Sequence, residues 1–170
     1  MTALPFAAFL FVAPAAAPAQ TPAPPPPPVI EYSDGYKTRA KIHKIGSFAM
    51  LPLVGVEYYL GNSIYENSDE TKKSAHVAVG AAIGTLFAVN TVTGVWNLYE
   101  GRHDPNGRTL RWVHSLLMLT ADAGFLATAA SAPDSEGGYA SADARSKHRT
   151  IALTSLAIGT AGYLVMLFGK

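Results

Sequence analysis

The chain contains 170 residues, of which 49% are hydrophobic and 15% are charged, whereas an ordinary soluble domain carries about 25% charged residues. This shortage of charge argues against a soluble enzyme, and a net charge of +1 leaves no basic footprint for nucleic acid. The chain has no cysteine, which excludes disulfides, thiolate zinc sites, iron–sulfur clusters and covalently attached haem.

The N-terminus is predicted to be an export signal followed by a tether. Residues 1–19 contain an apolar run that ends in the step Ala17-Pro18-Ala19, which is typical of a cleaved signal peptide. An uncleaved membrane anchor is the alternative. Residues 20–41 include a proline-rich stretch at 21–28 and predict a flexible N-terminal segment.

Residues 42–169 are predicted to form an all-α, integral membrane domain. Four stretches with almost no charge match the ~20 residues that a helix needs to cross a bilayer, and they lie at 42–61, 74–99, 109–131 and 146–168. The short polar loops between them predict an antiparallel four-helix bundle with the lipid bilayer as its partner. Aromatic residues near the span ends fit the belt found at membrane interfaces: Tyr58, Tyr59, Trp96, Tyr99, Trp112, Tyr163 and Phe168.

Four of the five histidines lie near the start of a predicted span. They are His43, His76, His114 and His148, whereas His103 falls in a polar loop and is interpreted as a solvated side chain. Consecutive spans of an antiparallel bundle begin on opposite faces of the membrane. The sequence therefore predicts one pair, His43 with His114, on one side and a second pair, His76 with His148, on the other.

Two histidines on each side predict two b-type haems, each with its iron held by two imidazoles. Small residues such as Gly80 and Gly84 follow His76 at helical spacing, which leaves room for a flat macrocycle between helices. The alternative for each histidine taken alone is an interfacial anchor. Zinc or copper transport is less favoured, because the histidines are divided between the two leaflets.

Two acidic residues lie inside the predicted spans, where ionisable groups are rare and often functional. Asp122 shares roughly the helix face of His114, which makes it a candidate for a proton path or for a hydrogen bond to a haem group. Glu57 is expected near His76 and His148, as a partner for the second nitrogen of a ligand imidazole. A structural hydrogen bond between helices is the alternative for both residues.

The ligand pattern resembles the four-helix dihaem core of the cytochrome b561 superfamily. Four short motifs carry the resemblance: Ile42-His43-Lys44, Ala75-His76-Val77, Val113-His114-Ser115 and Lys147-His148-Arg149. In that family the first and third core helices hold one haem, and the second and fourth hold the other, which implies the same two pairs. The resemblance also implies transmembrane electron transfer, hence a transmembrane oxidoreductase if the protein is an enzyme.

The electron donor and acceptor are left open, because this chain lacks the flanking helices of eukaryotic family members and any recognisable ascorbate motif. The signal peptide predicts a bacterial inner membrane location with the N-terminus outside. The positive-inside rule favours the reverse, with eight basic residues on the N-terminal side against five. A non-catalytic small subunit of a larger membrane complex and a metal or proton transporter are the alternative functions, and a homo- or hetero-oligomer is left open.

Overall fold

The computed structural model describes residues 30–133 and 141–169, and within these ranges every regular element is helical. The predicted signal peptide lies outside the described residues, as does the proline-rich stretch. Four long helices follow one another along the chain. They are α1 (Asp34–Asn67), α2 (Lys73–Glu100), α3 (Arg108–Ala130) and α4 (Ala142–Phe168). The predicted all-α fold is confirmed.

The first helix is longer than the predicted span at 42–61. Ser33 caps its N-terminus by accepting a hydrogen bond from the Tyr36 backbone N–H at 3.0 Å, and such a cap satisfies one of the free donors of a first turn. The helix ends at Asn67, where Ser68 adopts the left-handed conformation that commonly terminates helices. Residues 34–41, predicted as part of the flexible segment, are therefore the first turns of α1.

The other helix starts follow from local signals in the sequence. Ser141 caps α4 by accepting from the Ala144 backbone N–H at 3.1 Å. Gly107 precedes α3 with a φ of 64°, a conformation that glycine adopts without steric cost. Helices α2, α3 and α4 therefore begin within a few residues of the positions that the sequence predicts.

The helices pack as two pairs, α1 with α2 and α3 with α4. In the first pair, Arg39 near the start of α1 donates to the Asn97 side chain near the end of α2 at 2.8 Å. At the opposite end of the molecule, Arg149 of α4 donates to the Asn62 side chain of α1 at 2.8 Å. The histidines predicted to form pairs meet in the space between the two helix pairs.

The exterior of the molecule is apolar. Large side chains such as Leu126, Phe168 and Leu116 are 73%, 71% and 69% exposed, and a soluble monomer rarely displays a surface of this kind. Three helical stretches are long and apolar enough to cross a membrane, at 70–103, 108–130 and 142–168. Helix α1 is not among them, because Lys44, Pro52 and Glu57 lower its mean hydropathy.

Side-chain hydrogen bonds link the start of α1 to the end of α2 and to the turn that follows it. The Tyr32 hydroxyl donates to the Asp104 carboxylate, and Arg39 binds Glu100. The bond from Tyr32 is the main reason that the pKa of Asp104 is lower than usual, with a further bond from the Asn106 backbone N–H. Burial, and secondarily the same hydrogen bond to Asp104, raises the pKa of Tyr32.

Two facing histidine pairs

The structure brings the four histidines near the predicted span starts together as two pairs. His43 of α1 faces His114 of α3, with ring centres 6.1 Å apart and ring planes at 77°. His76 of α2 faces His148 of α4, with ring centres 6.2 Å apart and the same interplanar angle. Each pair spans the space between the two helix pairs. His103 lies apart from both, exposed in the turn before α3.

Three of the four imidazoles are oriented by a backbone carbonyl of the neighbouring helix. The Nδ1 atom lies 2.9 Å from a carbonyl oxygen in each case. The partners are the carbonyls of Asn90 for His43, Gly162 for His114 and Thr128 for His148. Since a carbonyl can only accept, Nδ1 must carry the proton. The unprotonated nitrogen of each ring is then Nε2, the form in which a neutral histidine binds a metal.

The fourth imidazole has a carboxylate beside it instead of a carbonyl. Glu57 Oε1 of α1 lies 3.0 Å from His76 Nδ1. This distance is that of an ion pair, although the ring N–H is not well aligned for a hydrogen bond. Both side chains are only about a quarter exposed, at 26% for His76 and 22% for Glu57. The structure thus places Glu57 beside His76, as the sequence predicts.

Glycines make room for the rings against the neighbouring helix. A Cβ added to Gly94 would lie 3.0 Å from His43 Cε1, and one added to Gly61 would lie 3.2 Å from His76 Cε1. Both distances are tighter than ordinary van der Waals contact. The rings of His43 and His76 therefore lie directly against glycine backbone, which restricts their movement toward the neighbouring helix.

The two pairs lie at different depths along the helices. The ring of His43 contacts the Asn90 carbonyl and so lies at the level of Asn90 on α2. Asn90 is fourteen residues after His76, whose ring belongs to the other pair. At 1.5 Å of rise per residue, this separation is about 21 Å along the helix axis. His148 and Gly162, which binds His114, show the same spacing on α4. One pair therefore lies near each end of the helical domain.

Asp122 occupies the region between the two pairs. Its carboxylate accepts a hydrogen bond from the Thr91 hydroxyl of α2, while its second oxygen, Oδ1, is buried and has no hydrogen-bond partner in the described part of the chain. The rings of Phe87 and Phe125 also meet between α2 and α3, with centres 4.8 Å apart. The structure thus gives Asp122 the interhelical hydrogen bond that was the structural alternative for this residue.

The dimensions of each pair fit a metal bound axially by two imidazoles. A metal–nitrogen bond of about 2 Å plus a ring radius of about 1.1 Å puts each ring centre about 3 Å from the metal, so two rings in line are about 6 Å apart. The measured separations are 6.1 and 6.2 Å. Among the described residues, no three His, Cys, Asp or Glu side chains form a metal-ion cluster. Two protein ligands suit a haem iron, whose other four ligands come from the macrocycle, better than zinc, which takes three or four from the protein.

Comparisons with protein families, curated proteins and solved structures found no match to this chain. The interpretation of the site consequently depends on the chain's own residues and geometry.

The groups that orient the rings were not predicted from the sequence, apart from Glu57. The signal that identifies them is a constant spacing between the two helix pairs. His43 and His114 are 71 positions apart, and His76 and His148 are 72 apart. The carbonyls that accept hydrogen bonds from the first pair, at Asn90 and Gly162, are also 72 positions apart. The same chemistry therefore recurs at equivalent places in both helix pairs.

Proposed function

We propose that this protein is an integral membrane electron-transfer protein with two b-type haems, one near each leaflet. The observation that carries the proposal is the pair of facing histidines at each end of the domain, with ring centres 6.1 and 6.2 Å apart. Two such pairs, each spanning the same gap between helices, are not required by an interfacial anchoring role. The same two pairs form the ligand pattern that resembles the cytochrome b561 superfamily.

In this proposal all four helices form an antiparallel bundle in the bilayer. The apolar exterior and the three sufficiently apolar helices support this arrangement. Helix α1 is the fourth span, because its acidic residue Glu57 contacts His76 rather than lipid. An ionisable group that faces a partner inside a bundle is much less costly than one that faces hydrocarbon.

A b-type haem supplies a one-electron iron couple, and the chain supplies its ligands and their orientation. His43 and His114 provide Nε2 atoms at one site, and His76 and His148 provide them at the other. The carbonyls of Asn90, Gly162 and Thr128 hold the Nδ1 protons of three rings. Such outer hydrogen bonds select the tautomer and increase the basicity of the ligand nitrogen.

The proposed location is a bacterial inner membrane with the N-terminus outside, as the predicted signal peptide implies. The end that holds His43 and His114 would then face outward. No electron donor or acceptor is assigned, because four of the basic residues at that end already bind groups of the protein itself: Lys37, Arg39, Arg102 and Arg111.

The test is the haem content of the purified full-length protein. The protein expressed in a haem-replete host and purified in mild detergent should contain two b-type haems per chain, quantified against the protein concentration. Its reduced spectrum should show the sharp bands of low-spin iron with two imidazole ligands. A folded, helical preparation that stays colourless after reconstitution with haem would overturn the proposal and favour the small-subunit alternative.

The metal or proton transporter receives less support from the contacts of the acidic residues. Asp122 binds Thr91 across α2 and α3, and Glu57 contacts His76. Glu57 therefore contacts α2 within the first helix pair, whereas Asp122 links α3 to α2 between the two pairs. Their partners are consistent with linking helices and with orienting a ligand.

A further inference from the structure

The two histidine pairs differ in the charge of the groups that contact their Nδ1 atoms. Both rings of the His43 and His114 pair contact neutral carbonyls. In the other pair, His148 contacts a carbonyl and His76 contacts the Glu57 carboxylate. Glu57 and Thr128 are 71 positions apart, so they occupy equivalent positions in the two helix pairs. The side chain of Glu57 contacts His76, whereas the backbone carbonyl of Thr128 contacts His148.

The fold makes space for this carboxylate next to the ring. A Cβ added to Gly80 of α2 would lie 3.0 Å from Glu57 Oε1, so the glycine allows the carboxylate to reach the α2 backbone. The second oxygen of Glu57 is buried and has no hydrogen-bond partner within the described residues. Among the described residues, His76 is therefore the one side chain that forms an ion-pair contact with Glu57.

We propose that Glu57 is a positioning residue that keeps the reduction potential of the His76 and His148 site below that of the His43 and His114 site. This inference rests on the proposed haem function. A carboxylate 3.0 Å from Nδ1 polarises the imidazole through its negative charge, even without an aligned hydrogen bond, and makes Nε2 a stronger donor. Stronger donation and a nearby negative charge both stabilise the ferric iron, which carries one more positive charge than the ferrous iron. Neutral carbonyls exert less of this effect.

The net charge at the two ends of the domain shifts the reduction potentials in the same direction as Glu57 does. At the His43 and His114 end, the described residues include seven basic and four acidic side chains: Lys37, Arg39, Lys41, Lys44, Arg102, Arg108 and Arg111 against Glu31, Asp34, Glu100 and Asp104. At the other end they include five of each: Lys72, Lys73, Arg145, Lys147 and Arg149 against Glu57, Glu66, Asp69, Glu70 and Asp143. Excess positive charge favours the ferrous state and raises the potential of the first end relative to the second.

The consequence is a preferred direction of electron flow. An electron at the His76 and His148 site has the higher free energy, so transfer toward the His43 and His114 site is downhill. The reductant is then expected to act at the end that contains Glu57. With the proposed orientation, this end faces the cytoplasm.

The experiment is a redox titration of the holoprotein, followed by optical spectroscopy. His43→Ala and His76→Ala each leave one site intact and therefore assign the two midpoints. The midpoint that persists in His43→Ala should be the lower one. Glu57→Gln keeps the size and a hydrogen-bond acceptor but removes the charge, so it should raise this lower midpoint and leave the other unchanged. Asp122→Asn is the matched control, because it neutralises a membrane-embedded carboxylate that contacts Thr91 rather than His76; it should not raise the lower midpoint selectively.

The outcomes separate this inference from the proposed function. Absence of haem in the wild type contradicts the proposed function itself. Two haems with the midpoint order reversed, or with no upward shift in Glu57→Gln, contradict the role of Glu57 and leave the haem assignment intact. If Glu57→Gln loses haem, the midpoint order in His43→Ala and His76→Ala still decides whether the site beside Glu57 has the lower potential.

Discussion

His43 and His114 are separated by 71 positions in the chain, yet their ring centres lie 6.1 Å apart across the space between two helix pairs. The Nδ1 atom of each ring contacts a backbone carbonyl of the helix packed against its own helix. The carbonyl is that of Asn90 on α2 for His43 and that of Gly162 on α4 for His114. The two helix pairs thus present their imidazoles to each other from equivalent places.

The pairing predicts which histidines share a haem. His43→Ala and His114→Ala should each remove the same spectral component and about half of the haem, because one imidazole is insufficient to hold a low-spin site. His76→Ala and His148→Ala should remove the other component. Haem quantification and low-temperature absorption spectra check this result. His103→Ala is the control and should retain both components; loss of one component by both His43→Ala and His76→Ala would contradict the pairing.

The glycines behind the rings predict selective loss of one site. Gly94→Ala should displace His43 and remove the component that His43→Ala removes, because the added Cβ would lie 3.0 Å from the ring. Gly61→Ala should act in the same way on the His76 site. Overpacking of this kind costs about 1–3 kcal/mol. The haem content of each variant measures the effect.

Gly55→Ala is the matched control for these variants. A Cβ at Gly55 of α1 would lie more than 4 Å from every described atom outside the adjoining backbone of its own helix, so this variant should keep both haems and its thermal stability. Equal haem loss in Gly55→Ala and Gly94→Ala would show that helix composition, rather than contact with the ring, explains the effect.

The natural absence of cysteine allows the proposed topology to be mapped by single cysteines. Asn67 and His103 are exposed at opposite ends of the helical domain. In sealed vesicles that keep the orientation of the cell, a membrane-impermeant thiol reagent added outside should label His103→Cys directly and Asn67→Cys only after permeabilisation. Labelling of both variants from the same side would contradict the four-span arrangement. The reverse pattern would retain the four spans and place the N-terminus in the cytoplasm, as the positive-inside rule favours.

Acid stability should depend on the bond between Tyr32 and Asp104. The hydrogen bond from Tyr32 is the largest cause that lowers the pKa of Asp104. The stabilisation is therefore present above the unfolded-state pKa of about 3.9 and is lost as the pH falls through the lower folded-state value. Tyr32→Phe should lower the melting temperature at neutral pH and shift its acid decline to higher pH.

Thermal unfolding in detergent, followed by circular dichroism between neutral and acidic pH, measures this change. Tyr58→Phe is the control, since Tyr58 is 52% exposed. Parallel pH profiles for the wild type and Tyr32→Phe would show that the Tyr32 bond does not control the ionisation of Asp104.

Electron transfer across the membrane should require both histidine pairs. Vesicles that contain the protein and an enclosed reductant should reduce an impermeant external acceptor, because the two sites lie about 21 Å apart along the axis, one near each end. His43→Ala and His148→Ala should each abolish this reduction, while the remaining site is still reducible from its own side. Undiminished reduction by a variant that demonstrably lacks one haem would exclude a relay through both sites.

Several features of this protein follow from the sequence by itself. Long stretches without charge predict helices with an apolar exterior, because uncompensated charges are costly in lipid. The place of each histidine at the start of its span is a local property of the chain. Together with the expected alternation in direction of consecutive predicted spans, it suffices to predict that His43 meets His114 and that His76 meets His148, as the structure shows.

Only the tertiary structure decided what holds the imidazoles. Backbone carbonyls occur at every residue, so no residue type marks Asn90, Gly162 or Thr128 as acceptors before the helices are packed. The approach of Glu57 to His76 likewise depends on the relative rotation and depth of α1 and α2, which the close contact at Gly80 determines. Helix periodicity defines the face on which a side chain lies, whereas the distance between two faces depends on how the helices pack.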